Sequence, residues 1–197
     1  ITAMLSTILQ NRKDISLIAI LEYNGRILTH DRDLVINPSS APERQAWFLE
    51  ARAGRGVPFI SASHVQNLIK ERYPWVVSMS REIRSFTTGK GEAVLLVDLN
   101  FDVIAGLCSG ISLGKRGYVF IVDRNGNIIY HPQQQLLYGN LKKEYIQAVI
   151  DSKEPFLPVR DEDGDRLYSL KTIRASGFTV VGVNYLDELM TNRKDIQ

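Results

Sequence analysis

The sequence predicts an α+β fold in which two small antiparallel sheets, each flanked by helices, follow one another along the chain. Three observations carry that expectation. Ile18 to His30 (IAILEYNGRILTH) is repeated, without a gap, as Val119 to His131 (VFIVDRNGNIIYH). Each copy places Asn-Gly between two β-rich runs, a strong short-range hairpin signal expected here to turn as type I′. Ala93 to Leu99 (AVLLVDL) and Thr179 to Tyr185 (TVVGVNY) are a second matched pair, each a strand followed at once by a helix-like segment. Repetition at this spacing marks a duplicated structural unit, and strands grouped apart from helices mark α+β rather than alternating α/β. The resulting organisation is an N-terminal helix over 1–14, a first module over 15–100, a linking helix over 101–116, a second module over 117–186 and an exit helix over 187–197.

The elements follow in order. Met4, Leu5, Ile8 and Leu9 form an apolar stripe within Thr2 to Lys13, the pattern of a long amphipathic helix. After the first hairpin comes a helix-like segment around Trp47, then an irregular stretch from Gly54 to Pro74. Trp75 to Ile83 (WVVSMSREI) supplies strand material, as does Ala93 to Leu99. Val103, Ile104, Leu107 and Ile111 recur at helical spacing, with Gly114 placed to stop that helix. In the second half, Lys142 to Asp151 reads as an amphipathic helix with Tyr145, Ile146 and Val149 on its inner face. Arg166 to Ile173 and Thr179 to Tyr185 complete a second sheet.

Composition narrows the function. The chain of 197 residues is 44% apolar and 23% charged, ordinary values for a globular protein. A net charge of +2, with no basic run longer than a pair such as Lys142-Lys143, gives no electrostatic footprint for nucleic acid. The single Cys108 excludes an internal disulfide and reads as a buried filler. No run approaches the ~18 apolar residues of a membrane span, and the chain opens in mid-pattern, as a segment of a longer protein would. Nucleophile-elbow, Walker, dinucleotide and His-Glu-x-x-His motifs are absent, so no enzyme and no cofactor are expected. A hydrolase built on Ser80, His64 and Asp98 would rest on composition alone. Asp161 to Asp165 resembles part of a calcium loop but lacks its downstream Glu and fits an acidic hairpin turn better. His30 and His131 close equivalent hairpins, which argues for a structural role and against a histidine metal site.

Gly114 to Pro132 (GKRGYVFIVDRNGNIIYHP), Val94 to Leu99 (VLLVDL) and Tyr73 to Ile83 (YPWVVSMSREI) together resemble the double-Cache, PAS-like sensor domains of bacterial transmembrane histidine kinases and chemoreceptors. The last segment is similar to Gram-positive sensor kinases that signal to AraC-type regulators. The resemblance spans about Met4 to Leu189. It implies a long first helix rising from one membrane span, a membrane-distal module holding the ligand pocket, a membrane-proximal module, and a last helix entering a second span. It further implies a place in the cell membrane with this domain on the extracytoplasmic side, a homodimer, and a kinase domain elsewhere in the protein. The expected partner is a small molecule: a sugar, an organic acid or an amino-acid-like compound.

Seven residues are candidates for that ligand. Amino-acid-binding relatives carry Arg-x-Trp-Tyr; the nearest string here, Arg44-Gln45-Ala46-Trp47-Phe48, is one residue too long and lacks the Tyr. Arg44 and Trp47 are therefore candidates, with Trp47 as core the competing reading. Phe59, His64, Tyr73 and Trp75 fall in or beside the Gly54 to Pro74 stretch, where pocket loops lie in the family; a satellite core beneath the loop is the alternative. Asp98 occupies the place of a carboxylate that in those relatives faces an ammonium group. Since Asn184 stands at the matching place of the second copy, Asp98 could instead cap the following helix. Arg81 and Arg84 would pair an anionic ligand or face solvent. A functional alternative is a non-binding dimerisation module whose cores are both filled.

Overall fold

The computed structural model describes residues 1–133, 136, 143–174 and 176–191. The chain divides into two compact units, Ile1–Val103 and Ile104–Gln197. In the first, α1 (Thr2–Gln10) precedes the hairpin β1 (Ile15–Glu22) and β2 (Ile27–Thr29), then α2 (Ala46–Ala53), β3 (Phe59–Val65), β4 (Trp75–Arg84) and β5 (Gly91–Asn100). Helix α3 (Phe101–Ser109) follows β5 directly. The second unit holds β6 (Tyr118–Val122), β7 (Ile128–Tyr130), α4 (Ile146–Asp151), β8 (Phe156–Asp161), β9 (Gly164–Ile173), β10 (Phe178–Tyr185) and α5 (Leu186–Thr191). The first sheet runs β2-β1-β5-β4-β3 and the second β7-β6-β10-β9-β8, with every pair antiparallel. The two Asn-Gly hairpins thus nucleate two separate sheets of the same strand order.

Alternation along the strands sets which face is core. Leu17, Ala19 and Leu21 of β1 and Val94 and Leu96 of β5 point to one side, as the period of two requires. Trp47, Phe48 and Ala51 of α2, with Leu68 and Ile69 from the β3–β4 connection, close over them. Ser80 Oγ donates to the Trp47 carbonyl at 2.7 Å and ties α2 to β4. In the second unit Phe120, Val122, Tyr168, Val181 and Val183 make the equivalent face under Val149 of α4, with Tyr145 and Ile146 packed beside it.

Several expectations need correcting. The N-terminal helix is not long: it ends at Gln10, where the Asn11 and Arg12 N–H groups bond the Ile8 and Leu9 carbonyls in a tightened last turn and β1 begins at Ile15. The linking helix stops at Ser109, not at Gly114, because two glycines, Gly106 and Gly110, weaken its last turn. The stretch from Gly54 to Pro74 is not wholly irregular, since it contains β3; Ser61 and Ser63, both buried, stand where apolar residues would have marked a strand. The predicted helix over Lys142 to Asp151 is described as helix only from Ile146; positions 142 and 192–197 lie outside the described residues.

Both Asn-Gly turns differ from type I′. Gly25 and Gly126 have φ of 92° and 84°, but Asn24 and Asn125 are not left-handed. Gly25 N–H bonds the Glu22 carbonyl and Glu22 N–H the Arg26 carbonyl; Gly126, Asp123 and Asn127 repeat the pattern. That is a type I turn closed by a left-handed glycine in a G1 bulge. Alanine at either glycine would incur about 1 kcal/mol of left-handed strain. A Cβ on Gly25 meets nothing within 4 Å, whereas one on Gly126 meets Ile150 Cδ1 at 2.9 Å and Ile146 Cγ2 at 3.1 Å. Gly126→Ala is therefore expected to cost roughly 1 kcal/mol more than Gly25→Ala in urea denaturation. Equal costs would show that α4 yields freely.

The duplicated sheets also correct a register. Leu17 pairs with Asp98 and Ser78 with Asp98 in the first sheet; Tyr118 and Tyr168 both pair with Val183 in the second. Superposing the matched hairpins makes Val183 the counterpart of Asp98, and Asn184 is one place away.

Candidate functional site

Strand β4 carries an unusual core face. Val76, Ser78, Ser80 and Glu82 all point inward and all are buried. Polar groups at such positions lose water and need partners. Glu82 finds Tyr23, whose hydroxyl donates to Oε1 at 2.7 Å, and Arg84, whose Nη1 lies 2.5 Å from Oε2. Arg84 is thus an internal partner rather than a ligand group, and Arg81 is exposed on the opposite face.

At the other end of this face stands Asp98, with no exposed surface. Ser78 Oγ donates to Oδ1 at 2.5 Å and Gln66 Nε2 to Oδ2 at 2.9 Å. Gln66 is held in that orientation because its Oε1 accepts from the Asn67 and Leu68 N–H groups. His64 Nε2 lies 3.3 Å from Ser78 Oγ, while its Nδ1 lies 3.0 Å from the Ala62 carbonyl, which can only accept and so draws a proton onto Nδ1. Burial pushes the Asp98 carboxyl up to about 6, against the hydrogen bonds from Ser78 and Gln66 and the nearby His64, which act to lower it. Asp98 does not cap α3; that role falls to Asn100, whose Oδ1 accepts the Asp102 N–H at 3.0 Å. Nor do these groups stand in the order of a nucleophilic triad: Ser78 lies between His64 and Asp98, and Ser80 bonds elsewhere.

Asp98 forms part of the wall of a cavity of about 40 Å³, shared with Leu17, Gln66, Ile69, Arg72 and Pro74. That is room for about three waters. The cavity roof is the connection 66–74, pinned by Asn37 Nδ2 to the Asn67 carbonyl and by a bridge between Ile36 and Ile69. Glu71 within it has φ of 62°, a conformation L-residues rarely adopt. A larger hollow of about 610 Å³ opens in the same unit between the β1–β2 hairpin, the 36–43 segment and α2. None of the seven predicted residues borders it, and the buried carboxylate is not there, so chemistry favours the smaller site.

The predicted residues separate accordingly. Asp98 and His64 come together through Ser78. Trp47 shares their face of the sheet, 2% exposed, with no partner for its indole N–H among the described residues. Phe59 packs against the same core. Arg44 is exposed on a short 3-10 turn before α2, turned away by the extra residue that separates it from Trp47. Tyr73 and Trp75 are 58% and 44% exposed; Trp75 sits on the opposite face of β4, against Phe101. Sequence reasoning missed Gln66, Ser78 and Arg72.

The model of the Cache domain family, in its double form, matches residues 2–193. The chain belongs to the Cache domain family. Among curated relatives, the methyl-accepting chemotaxis protein McpA of Bacillus subtilis is 22% identical over 178 residues, covering 90% of this chain and 25% of McpA. The chain therefore spans about a quarter of that relative's length. In structure this Cache domain is similar to the ligand-binding domain of the Pseudomonas fluorescens chemoreceptor CtaA, solved with L-isoleucine: TM-score 0.71, 14% identity, 96% of this chain and 76% of that one. It is also similar to the extracellular domain of mmHK1S-Z3, assigned as a histidine kinase, with TM-score 0.72 and 14% identity over 98% of this chain and 81% of that one. At such identities the two structures establish a shared fold. Among the described residues of the Cache domain, no helix is long and apolar enough to cross a membrane.

Proposed function

We propose that this Cache domain is the ligand-sensing portion of a homodimeric transmembrane receptor, facing the extracytoplasmic side, and that its first unit takes a small zwitterion of amino-acid type. The observation that carries the reading is Asp98: a fully buried carboxylate, bonded by the side chains of Ser78 and Gln66, in the wall of a cavity that Arg72 also lines. A buried charge without an ion-pair partner is costly, and a ligand ammonium would relieve that cost. Arg72 stands where a guanidinium could take the ligand's carboxylate, replacing the Arg44 that the spacing denies. A molecule larger than a few waters must displace Gln66 and lift the 66–74 segment, so bound and free forms differ in packing. That difference is what a signalling switch requires. Amino-acid complexes of CtaA support this ligand class.

For the output, similarity in sequence to McpA weighs more than likeness of fold to the extracellular domain of a histidine kinase, so a chemoreceptor is the reading we favour over a histidine kinase. The proposal assigns no catalysis to this segment.

A thermal-shift screen tests the binding. A matching amino acid at ~100 times its dissociation constant adds ~2.7 kcal/mol, several degrees of melting shift for a domain this size. The corresponding amine and the corresponding acid should each shift it less. A response to neutral sugars only would sink the zwitterion, and no response to any class would leave the non-binding dimerisation module.

A further inference from the structure

The second unit holds a buried polar centre of opposite character. Glu144, in the segment leading into α4, has a side chain with no exposed surface. Its Oε1 accepts from the Tyr118 hydroxyl at 2.5 Å and from His131 Nε2 at 3.0 Å; its Oε2 accepts from the Tyr168 hydroxyl, with Arg166 Nη1 at 3.7 Å. His131 Nδ1 accepts the Gln133 N–H, so its proton is on Nε2 and points at Glu144. Although burial opposes ionisation, the hydrogen bonds from His131, Tyr118 and Tyr168 hold the Glu144 carboxyl below its usual range. Arg166, equally buried, also pairs with Asp161, and its Nε–H has no partner among the described residues. The rings of Tyr118, Phe120, His131 and Tyr168 pack edge-on or tilted around the carboxylate.

The division of labour is that of a receptor and an occupant. Tyr118, Tyr168 and Arg166 are strand residues of β6 and β9, and His131 follows β7, so the donors belong to the sheet. The acceptor alone arrives on a connecting segment. Tyr118 and Tyr168 also pair with Val183, which makes theirs the row that holds Leu17, Asp98 and Ser78 in the first unit. One sheet offers a carboxylate at that row; the other offers donors to a carboxylate. An apolar core of the same volume would fold at least as well as such a charged centre, so packing alone does not call for it.

We infer that the sheet of the second unit is a binding site for a small monocarboxylate, occupied in cis by Glu144. Glu144→Ala empties the site while leaving the donors. Acetate and propionate should then raise the melting temperature in a saturable way and shift the His131 ring resonances, relative to chloride at equal ionic strength. Adding Tyr168→Phe, which removes one donor, should weaken this response about tenfold, in line with a charge-assisted hydrogen bond. Equal melting temperatures in carboxylate and chloride would overturn the proposal, as would a response unchanged by Tyr168→Phe. If Glu144→Ala does not fold in chloride, its refolding from urea is the readout. Recovery in propionate but not in chloride supports the site, and recovery in neither rejects it.

Discussion

Replacing Arg166 by methionine is expected to destabilise the second unit by about 3 kcal/mol or more, because breaking a buried ion pair leaves its partner charge uncompensated. For a unit of this size that is a fall in melting temperature of at least about 12 °C. Methionine keeps most of the volume, so the loss is electrostatic: Glu144 and Asp161 both lose the guanidinium, whose own ionisation the surrounding Tyr168, Tyr118, Asp161 and Glu144 favour despite burial. The control is Arg160→Ala, which removes an equally well-formed pair with Asp165, 2.6 Å apart but exposed. Solvent and salt screen that pair, and its loss should cost little. Combining Arg166→Met with Glu144→Leu should recover part of the stability, since the buried carboxylate left unpaired by the first change is then gone, while Asp161 and the donors His131, Tyr118 and Tyr168 remain. Urea denaturation of these variants and of the Glu144→Leu single, each against the parent protein, decides. A single-variant loss no greater than that of Arg160→Ala would mean that the buried centre contributes nothing to the fold, and additive losses would mean the two charges are not coupled.

That centre was invisible in the sequence for a definite reason. His30 and His131 hold matched positions, and one does close its hairpin, with Nδ1 3.4 Å from the Ile18 N–H. His131 instead bonds Glu144, which the expected helix over Lys142 to Asp151 did not count on its inner face and which stands before the helix that begins at Ile146. The strands were legible because Asn-Gly turns and β-rich runs are local signals. The relation of Asp98 to Val183 was not, because neither AVLLVDL nor TVVGVNY alternates strictly between apolar and polar residues, so nothing in the pattern fixes the register to one residue. Residue type also misled. Trp75 and Tyr73 drew attention as aromatics, yet the alternation of β4 sends Trp75 outward with Met79 and Arg81. Ser78, Ser80 and Glu82 on the inward register were the better signal, since polar residues at core positions mark function or strain. Gln66 meets Asp98, and Arg72 comes to line the same cavity, only through the fold of the 66–74 connection, which no spacing announces.

Binding of an ammonium-bearing ligand by the first unit is expected to weaken about tenfold for each pH unit below about 6 and to be flat above it. The sign follows from Asp98. Its folded value, about 6, lies above the ordinary 3.8, chiefly because burial disfavours the charged form. The folded ligand-free state therefore holds a proton through a range in which the unfolded chain has lost it. Stability from this group is full below the ordinary value and falls as pH rises toward about 6, by about 3 kcal/mol in all. Above that point the empty domain carries an uncompensated buried charge, and an incoming ammonium meets a carboxylate already ionised. Below it, each ligand must first expel a proton. Calorimetry in buffers of different ionisation enthalpy should count close to one proton released per ligand at about pH 5 and none at about pH 8. Asp98→Asn should abolish the pH dependence together with tight binding, because the amide can still accept from Gln66 but neither titrates nor carries the negative charge that pairs an ammonium. Affinity that rises on acidification would reverse the assignment, because it would mean that the ligand is held by a group that gains a proton on binding, and Asp98 would then be a structural carboxylate rather than the receptor for an ammonium.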